Sequence, residues 1–220
     1  MTRKILFTGF GSFPGAPVNP SGPLATRLGR SRRLAFAGVQ RIVHVFPTCY
    51  AAVDRELAAL ITRHRPEAIV MLGLAGRSKH VRIETQARNA VSLLFPDADG
   101  IVPRIGTIRR HAPPRQAGRA PFRRLLAAAR GTRIKTMLSR DAGRYLCNYV
   151  YWRAVEAAEK PDGPRLVVFV HVPNVRTNQR RRGTRRPVPS VADLARVVEA
   201  IAAAAVIALR ADRPAVRSPA

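Results

Sequence analysis

The chain predicts an α/β protein, a three-layer α/β/α sandwich around a mainly parallel or mixed sheet. Three observations predict it. Short apolar runs of strand length alternate with segments of helical spacing, the order that builds a sheet covered on both faces. One of those runs, Leu166-Val167-Val168-Phe169-Val170, is apolar throughout, as a strand buried on both sides must be. The length, 220 residues, fits one domain (1–220) with a sizeable core, and no internal repeat is visible.

The elements follow in order. Ile5-Leu6-Phe7-Thr8 reads as a first strand, broken by Gly9, and a Gly- and Pro-rich loop runs to Pro20. Ser21 starts a helix that reaches about Arg30. Val39–Phe46 reads as a second strand, stopped by Pro47. Val53, Leu57, Leu60 and Ile61 recur at helical spacing within 51–63. Residues 68–72 form a third strand ending at Gly73, and 81–90 a further one. The stretch 95–119, rich in Pro, Gly and Arg, is longer than ordinary connections and is either functional or mobile. A helix over 121–129, a strand over 134–138, a helix over 147–159, the strand 166–170 and a last helix over 191–209 complete the chain. The segment 176–189 holds Arg180, Arg181, Arg182, Arg185 and Arg186, and reads as a solvated loop rather than a polyanion site. Residues 211–220 read as a short disordered tail.

Composition excludes several classes. The formal net charge is +26, and of 39 basic residues only Lys4, Lys79, Lys135 and Lys160 are lysine. Such charge permits non-specific binding to nucleic acid. The arginines are scattered and few aromatics interleave with them, so a compositional preference for Arg is the better reading. No apolar run approaches the roughly 18 residues of a membrane span, and no secretory signal precedes the first strand. The expected compartment is the cytosol. There Cys49 and Cys147 stay reduced and form no disulfide scaffold. Five histidines and two cysteines show no metal-ligand spacing, so neither metal nor cofactor is expected.

Reactive groups of open α/β sheets gather outside the carboxyl ends of strands. His171 follows the strand 166–170 directly. Cys147 opens a helix, where unpaired N–H groups and the macrodipole favour a thiolate and can hold an oxyanion. Position alone still favours a structural, buried cysteine, and Cys49 opens a helix too. His171 alone fits a hydrogen-bonded core residue equally well, and Glu84 an ion-pair partner. A Cys–His–acid triad is geometrically open to residues this far apart.

The local motifs separate these readings. Ser139-Arg140-Asp141-Ala142-Gly143-Arg144-Tyr145-Leu146-Cys147-Asn148 resembles the nucleophile motif S-x-x-A-G-x-Y/F-x-C-N of the pyroglutamyl-peptidase I family. Val170-His171-Val172-Pro173 resembles that family's I-H-V/I-P. Gly73 to Arg77, followed by Glu84-Thr85-Gln86-Ala87-Arg88-Asn89, resembles G-Q-A-G-G-R followed by E-R-V-A-I-N. Thr8-Gly9-Phe10-Gly11-Ser12-Phe13 with Asn19-Pro20-Ser21 is similar to its opening motif, and Pro96-Asp97 with Gly100 matches P-D-N-x-G. These motifs run in family order from residue 4 to the last helix.

The resemblance implies a phosphorylase/hydrolase-like fold and a cysteine omega-peptidase that removes N-terminal pyroglutamate. Cys147 would be nucleophile, His171 its base and Glu84 the acid that orients the histidine. It further implies a pocket for the small lactam ring at Phe10, Phe13, Asn19, Thr48, Leu74, Phe95, Tyr145 and Leu146. The partner would be a peptide with a blocked N-terminus, and the protein a homo-oligomer, dimer or tetramer. For Phe10 and Phe13 the alternative is plain packing of a Gly-rich loop. The chain also departs from the family. Leu74 stands for Gln, Leu94 for Arg, Phe95 for Ile and Val91-Ser92 for an acidic pair, and Gly76-Arg77 has one glycine fewer. A related amidohydrolase with another substrate, or a silent relative that binds polyanions, are the competing expectations.

Overall fold

The computed structural model describes residues 3–13, 15–175 and 188–211. Most of the predicted basic loop and nearly all of the predicted tail lie outside the described residues. The strands are β1 (Arg3–Phe10), β2 (Val39–Phe46), β3 (Ala68–Leu74), β4 (Val81–Glu84), β5 (Gln86–Arg88), β6 (Arg115–Ala117), β7 (Thr136–Ser139) and β8 (Leu166–Val172). The helices are α1 (Ser21–Gly29), α2 (Arg32–Phe36), α3 (Tyr50–His64), α4 (Phe122–Arg130), α5 (Leu146–Ala158) and α6 (Val191–Ala211).

Six strands form one sheet in the order β2-β1-β3-β8-β4-β7, while β5 and β6 make a separate pair. β2, β1, β3 and β8 are mutually parallel. β4 runs antiparallel to β8, and β7 parallel to β4, so the sheet is mixed. One face packs on α1, α4 and α6 through Phe7, Val70, Val168 and Val170. The other packs on α3 and α5 through Leu6, Ile69, Met71 and Phe169. The alternation of side chains along each strand divides the two cores in this way. Burying so much apolar surface on both faces supplies the main stabilisation of the sandwich.

Several elements differ from the sequence expectation, among them a short helix α2 that the pattern does not announce. Gly9 does not break the first strand. It lies inside β1, where a Cβ would come 2.4 Å from the Ser21 carbonyl oxygen, so glycine here admits the first turn of α1 against the strand. The expected strand 81–90 is two strands parted at Thr85. That residue bonds to Ser139 on one side (N···O 2.7 Å) and accepts from the Gly118 N–H on the other (2.9 Å). The partner of β5 comes from the long connection 95–119, which is far from structureless. Asn89 Oδ1 accepts from the N–H groups of Ile108 and Arg109, both at 2.9 Å. Asp97 Oδ2 accepts from the Tyr50 N–H at 3.0 Å and thereby caps α3 from another segment.

β8 runs two residues past its expected end, which places His171 within the strand opposite Gly73 and Arg82. The carboxyl-end rule therefore accounts for His171 but not for Cys147. β7 runs opposite to β8, and the chain reaches the site through the turn 140–145. Gly143 permits that turn with φ +86°.

Candidate active site

Strand pairing puts Gly73, Arg82, Glu84, Phe169 and His171 on one face of the sheet. Gly73 is the parallel partner of His171, and Arg82 and Glu84 are the antiparallel partners of His171 and Phe169. The first turn of α5 sits over this face. An ideal Cβ on Gly73 would lie 2.7 Å from Cys147 Sγ and 2.7 Å from the Phe169 ring. The missing side chain is thus the room the sulfur occupies. Replacing Gly73 with Ala is expected to displace the sulfur from the histidine and lower kcat about a hundredfold, with little change in KM. Steady-state kinetics on the folded variant checks this.

His171 is 5% exposed and Glu84 fully buried. The His171 Nδ1–H donates to Glu84 Oε1 at 2.8 Å. That fixes the tautomer and leaves Nε2 without a proton, on a ring that the Cys147 sulfur is near enough to influence. Burial by itself disfavours the imidazolium. The hydrogen bonds to Cys147 and Glu84, and the negative charge of both, outweigh burial and push the His171 pKa up to about 9. A reaction that uses the imidazolium is therefore expected to lose rate as pH rises through about 9, which a kcat/KM profile would show.

Glu84 is held from two further directions. Arg82 Nη2 lies 3.0 Å from the same Oε1. Its backbone carbonyl accepts from the Tyr151 hydroxyl at 2.9 Å. Burial pushes the Tyr151 phenol up, so it stays a donor. Asn148, one residue after Cys147 and fully buried, fastens α5 to β5. It accepts from the Arg88 N–H at 2.8 Å and donates to the Arg88 and Ala90 carbonyls. Arg82 and Tyr151 were not singled out from sequence. Arg82 stands two residues before Glu84 in a strand, which puts both on one face, and that spacing was the available signal.

The structure separates the two cysteines. Cys49 is 6% exposed at the start of α3, and the groups that act on its thiol are Ala52, Asp97 and Asp99. Burial raises its thiol pKa, and so does its hydrogen bond to Asp99.

The predicted pocket residues are dispersed in role. Phe13 and Tyr145 face each other with ring centroids 6.2 Å apart, and Tyr145 precedes Cys147 by two residues. The Tyr145 hydroxyl donates to the Pro96 carbonyl at 2.8 Å, and its ring also meets Tyr50 edge-on. Asn19 Nδ2 and Thr48 Oγ1 both donate to the Gly11 carbonyl, at 3.0 and 3.4 Å. They hold the loop that carries Phe13. Phe10 is buried against Phe46, and the Leu146 side chain lies in the core beneath α5. Leu74 ends β3 beside Gly73, half-buried. Phe95 is 63% exposed and the neighbouring Leu94 82%. A cleft of about 890 Å³ opens between α1 and α6, with Phe10, Arg27, Arg196 and Glu199 in its lining. Cys147, His171 and Glu84 do not line it, so it is not where this chemistry resides. Among the described residues no group of His, Cys, Asp and Glu could hold a metal ion.

Known proteins resemble the chain over nearly all of this structure. The pyroglutamyl peptidase family model matches residues 3–211. The pyrrolidone-carboxylate peptidase of Bacillus subtilis is 28% identical over 220 residues, covering 100% of this chain and 98% of that one. The enzyme of the same name from Gloeobacter violaceus is 31% identical over 170 residues, covering 77% and 81%. The solved pyrrolidone carboxyl peptidase of Thermococcus litoralis superposes with a TM-score of 0.82 at 26% identity, over 99% of this chain and 100% of that one. The chain belongs to the pyroglutamyl peptidase family of cysteine peptidases.

Proposed function

We propose that the chain hydrolyses the amide bond after an N-terminal pyroglutamyl residue, with Cys147 as nucleophile, His171 as base and then acid, and Glu84 orienting His171. The observation that carries this reading is the Cys147 sulfur, at a helix N-terminus, lying over Gly73 beside its strand partner His171, whose ring is hydrogen-bonded to the buried Glu84. The thiol proton passes to His171 Nε2, and the sulfur attacks the pyroglutamyl carbonyl. The tetrahedral oxyanion is met by first-turn N–H groups of α5. Tyr149 is the first residue whose N–H closes a bond with the turn before it, to Tyr145 O at 3.0 Å, so the donors before it are free to turn on the substrate. His171 protonates the leaving amine, a thioester remains on Cys147, and water releases pyroglutamate.

Phe13 and Tyr145 form the aromatic side of the proposed ring pocket. The peptide with a blocked N-terminus is the substrate class, and in this reading the backbone at Leu74 meets its lactam. A second reading, an amidohydrolase with a changed substrate, is favoured by the apolar Leu74 and the exposed Leu94. The polyanion reading draws less support. Exposed arginines occur on α1, α3, α4 and α6 and so on both helical layers, not on one face. No described helix is long and apolar enough to cross a membrane. A cytosolic homo-oligomer is part of the proposal, resting on the family.

The test is a panel of chromogenic amides under reducing conditions. Release from the pyroglutamyl amide, with prolyl and N-acetyl amides inert, is the expected result. Turnover of another cap alone would establish the second reading instead.

A further inference from the structure

We propose that Arg82 is a positioning residue for this site, holding the Glu84 carboxylate in line with His171 and setting the pH window in which the Cys147–His171 pair operates. The inference rests on the proposed roles of Cys147, His171 and Glu84.

Arg82 and Glu84 share one face of β4, and Arg82 is the direct antiparallel partner of His171. One nitrogen, Nη2, lies 3.0 Å from Glu84 Oε1, the oxygen that also receives the His171 Nδ1–H. The same nitrogen donates to Ser139 Oγ at 2.8 Å and to the Asp141 carbonyl. Ser139 and Asp141 open the turn that leads to Cys147. The guanidinium thus ties the carboxylate, the end of β7 and the start of the nucleophile turn together. Arg82 is only partly exposed (26% of its side chain), so its charge is weakly screened. Among the described residues Glu84 Oε2 is buried with no hydrogen-bond partner, so the carboxylate is held through its Oε1 contacts alone.

Among the described residues, the charges facing this pair are few. They are Cys147 and Tyr151 from α5, His171 from β8, Arg82 from β4, Asp141 from the turn, and Arg88 from β5, which pairs with Asp141 at 3.1 Å. Within that set Arg82 opposes the second positive charge on His171, so removing its charge raises the pH at which the imidazolium is lost.

The experiment follows alkylation of Cys147 by iodoacetamide against pH, read by peptide mass spectrometry, together with kcat on the pyroglutamyl amide. Wild type, Arg82→Gln and Arg82→Lys are compared. Arg82→Gln is expected to shift the alkylation profile upward by about half a pH unit or more, and to lower kcat about tenfold. Arg82→Lys, which keeps the charge and loses the fork, is expected to restore the wild-type profile with kcat still reduced. A Gln profile that coincides with wild type would overturn the proposal. So would equal losses in Gln and Lys with unshifted profiles and lowered melting temperatures, which mark a purely structural arginine. Alkylation needs no substrate, so the outcome stands whichever amide the enzyme turns over.

Discussion

Cys147→Ala is expected to lower turnover of the pyroglutamyl amide by at least about 10⁴-fold, because without the sulfur there is no acyl acceptor. The control is Cys49→Ala. Cys49 is buried and its thiol is raised in pKa by burial and by Asp99, so its removal is expected to affect stability alone. The Cys147 variant also carries a physical signature that needs no substrate. Contact with the sulfur helps raise the His171 pKa, so its loss must lower that pKa, and histidine NMR titration would show the fall. Stability follows with a definite sign. His171 is raised from 6.5 to about 9 in the folded protein, so it binds its proton more tightly folded than unfolded. Its contribution to stability is complete below pH 6.5 and is lost as pH rises through about 9. In Cys147→Ala that decline is expected to shrink and to end at lower pH, as melting temperatures across the range would show.

Glu84→Gln is expected to lower kcat by roughly 10³–10⁴-fold, the scale on which a triad lacking its acid loses its tautomer and its countercharge. The amide has nearly the shape of the carboxylate, so the fold has no steric reason to change. Three things are lost together. The Nδ1–H bond becomes one to a neutral acceptor, or reverses if the amide flips. The imidazolium loses the charge that supports it, so the alkaline limit of activity moves down. Arg82 and the protonated His171 then face one another across β4 and β8 with no anion between them. Breaking a buried pair in this way costs about 3 kcal/mol. A variant that kept wild-type kcat and its alkaline limit would remove Glu84 from the mechanism.

Much of this architecture is legible in the sequence, for identifiable reasons. The strand Val39–Phe46 and the helix from Ser21 stand where pattern and punctuation put them, because each is bounded by residues that stop or start it. Pro47 ends the strand, and Asn19 Oδ1 takes the Ser21 N–H at 3.1 Å just ahead of the helix. Gly9 misleads because a glycine that admits a neighbouring helix and a glycine that breaks a strand are the same letter. The split at Thr85 and the strand Arg115–Ala117 depend on a pairing across about thirty residues, which local pattern does not carry. His171 looks like a residue after a strand because Val172 and Pro173 soften the end of the apolar run, while register with Gly73 keeps it inside.

At the site, sequence motifs locate Cys147, His171 and Glu84, but not what surrounds them. The antiparallel turn of β4 against β8 brings Glu84 and Arg82 level with Phe169 and His171, and no local signal announces an antiparallel pair in a mainly parallel sheet. Among the pocket residues, Asn19 and Thr48 belong to the hydrogen bonds of the loop, and Phe10 to the core. Motif matching weights them equally with Phe13 and Tyr145, since it does not distinguish a residue that shapes a pocket from one that faces it.

The most direct test of the central claim is to trap the acyl-enzyme. The wild-type protein is mixed with an activated pyroglutamyl ester, quenched in acid within the first turnover, digested and mapped by mass spectrometry. The account predicts one pyroglutamyl group as a thioester on the peptide containing Cys147, and none on the peptide containing Cys49. Label on Cys49, or product formation with Cys147 replaced by Ala, would contradict it.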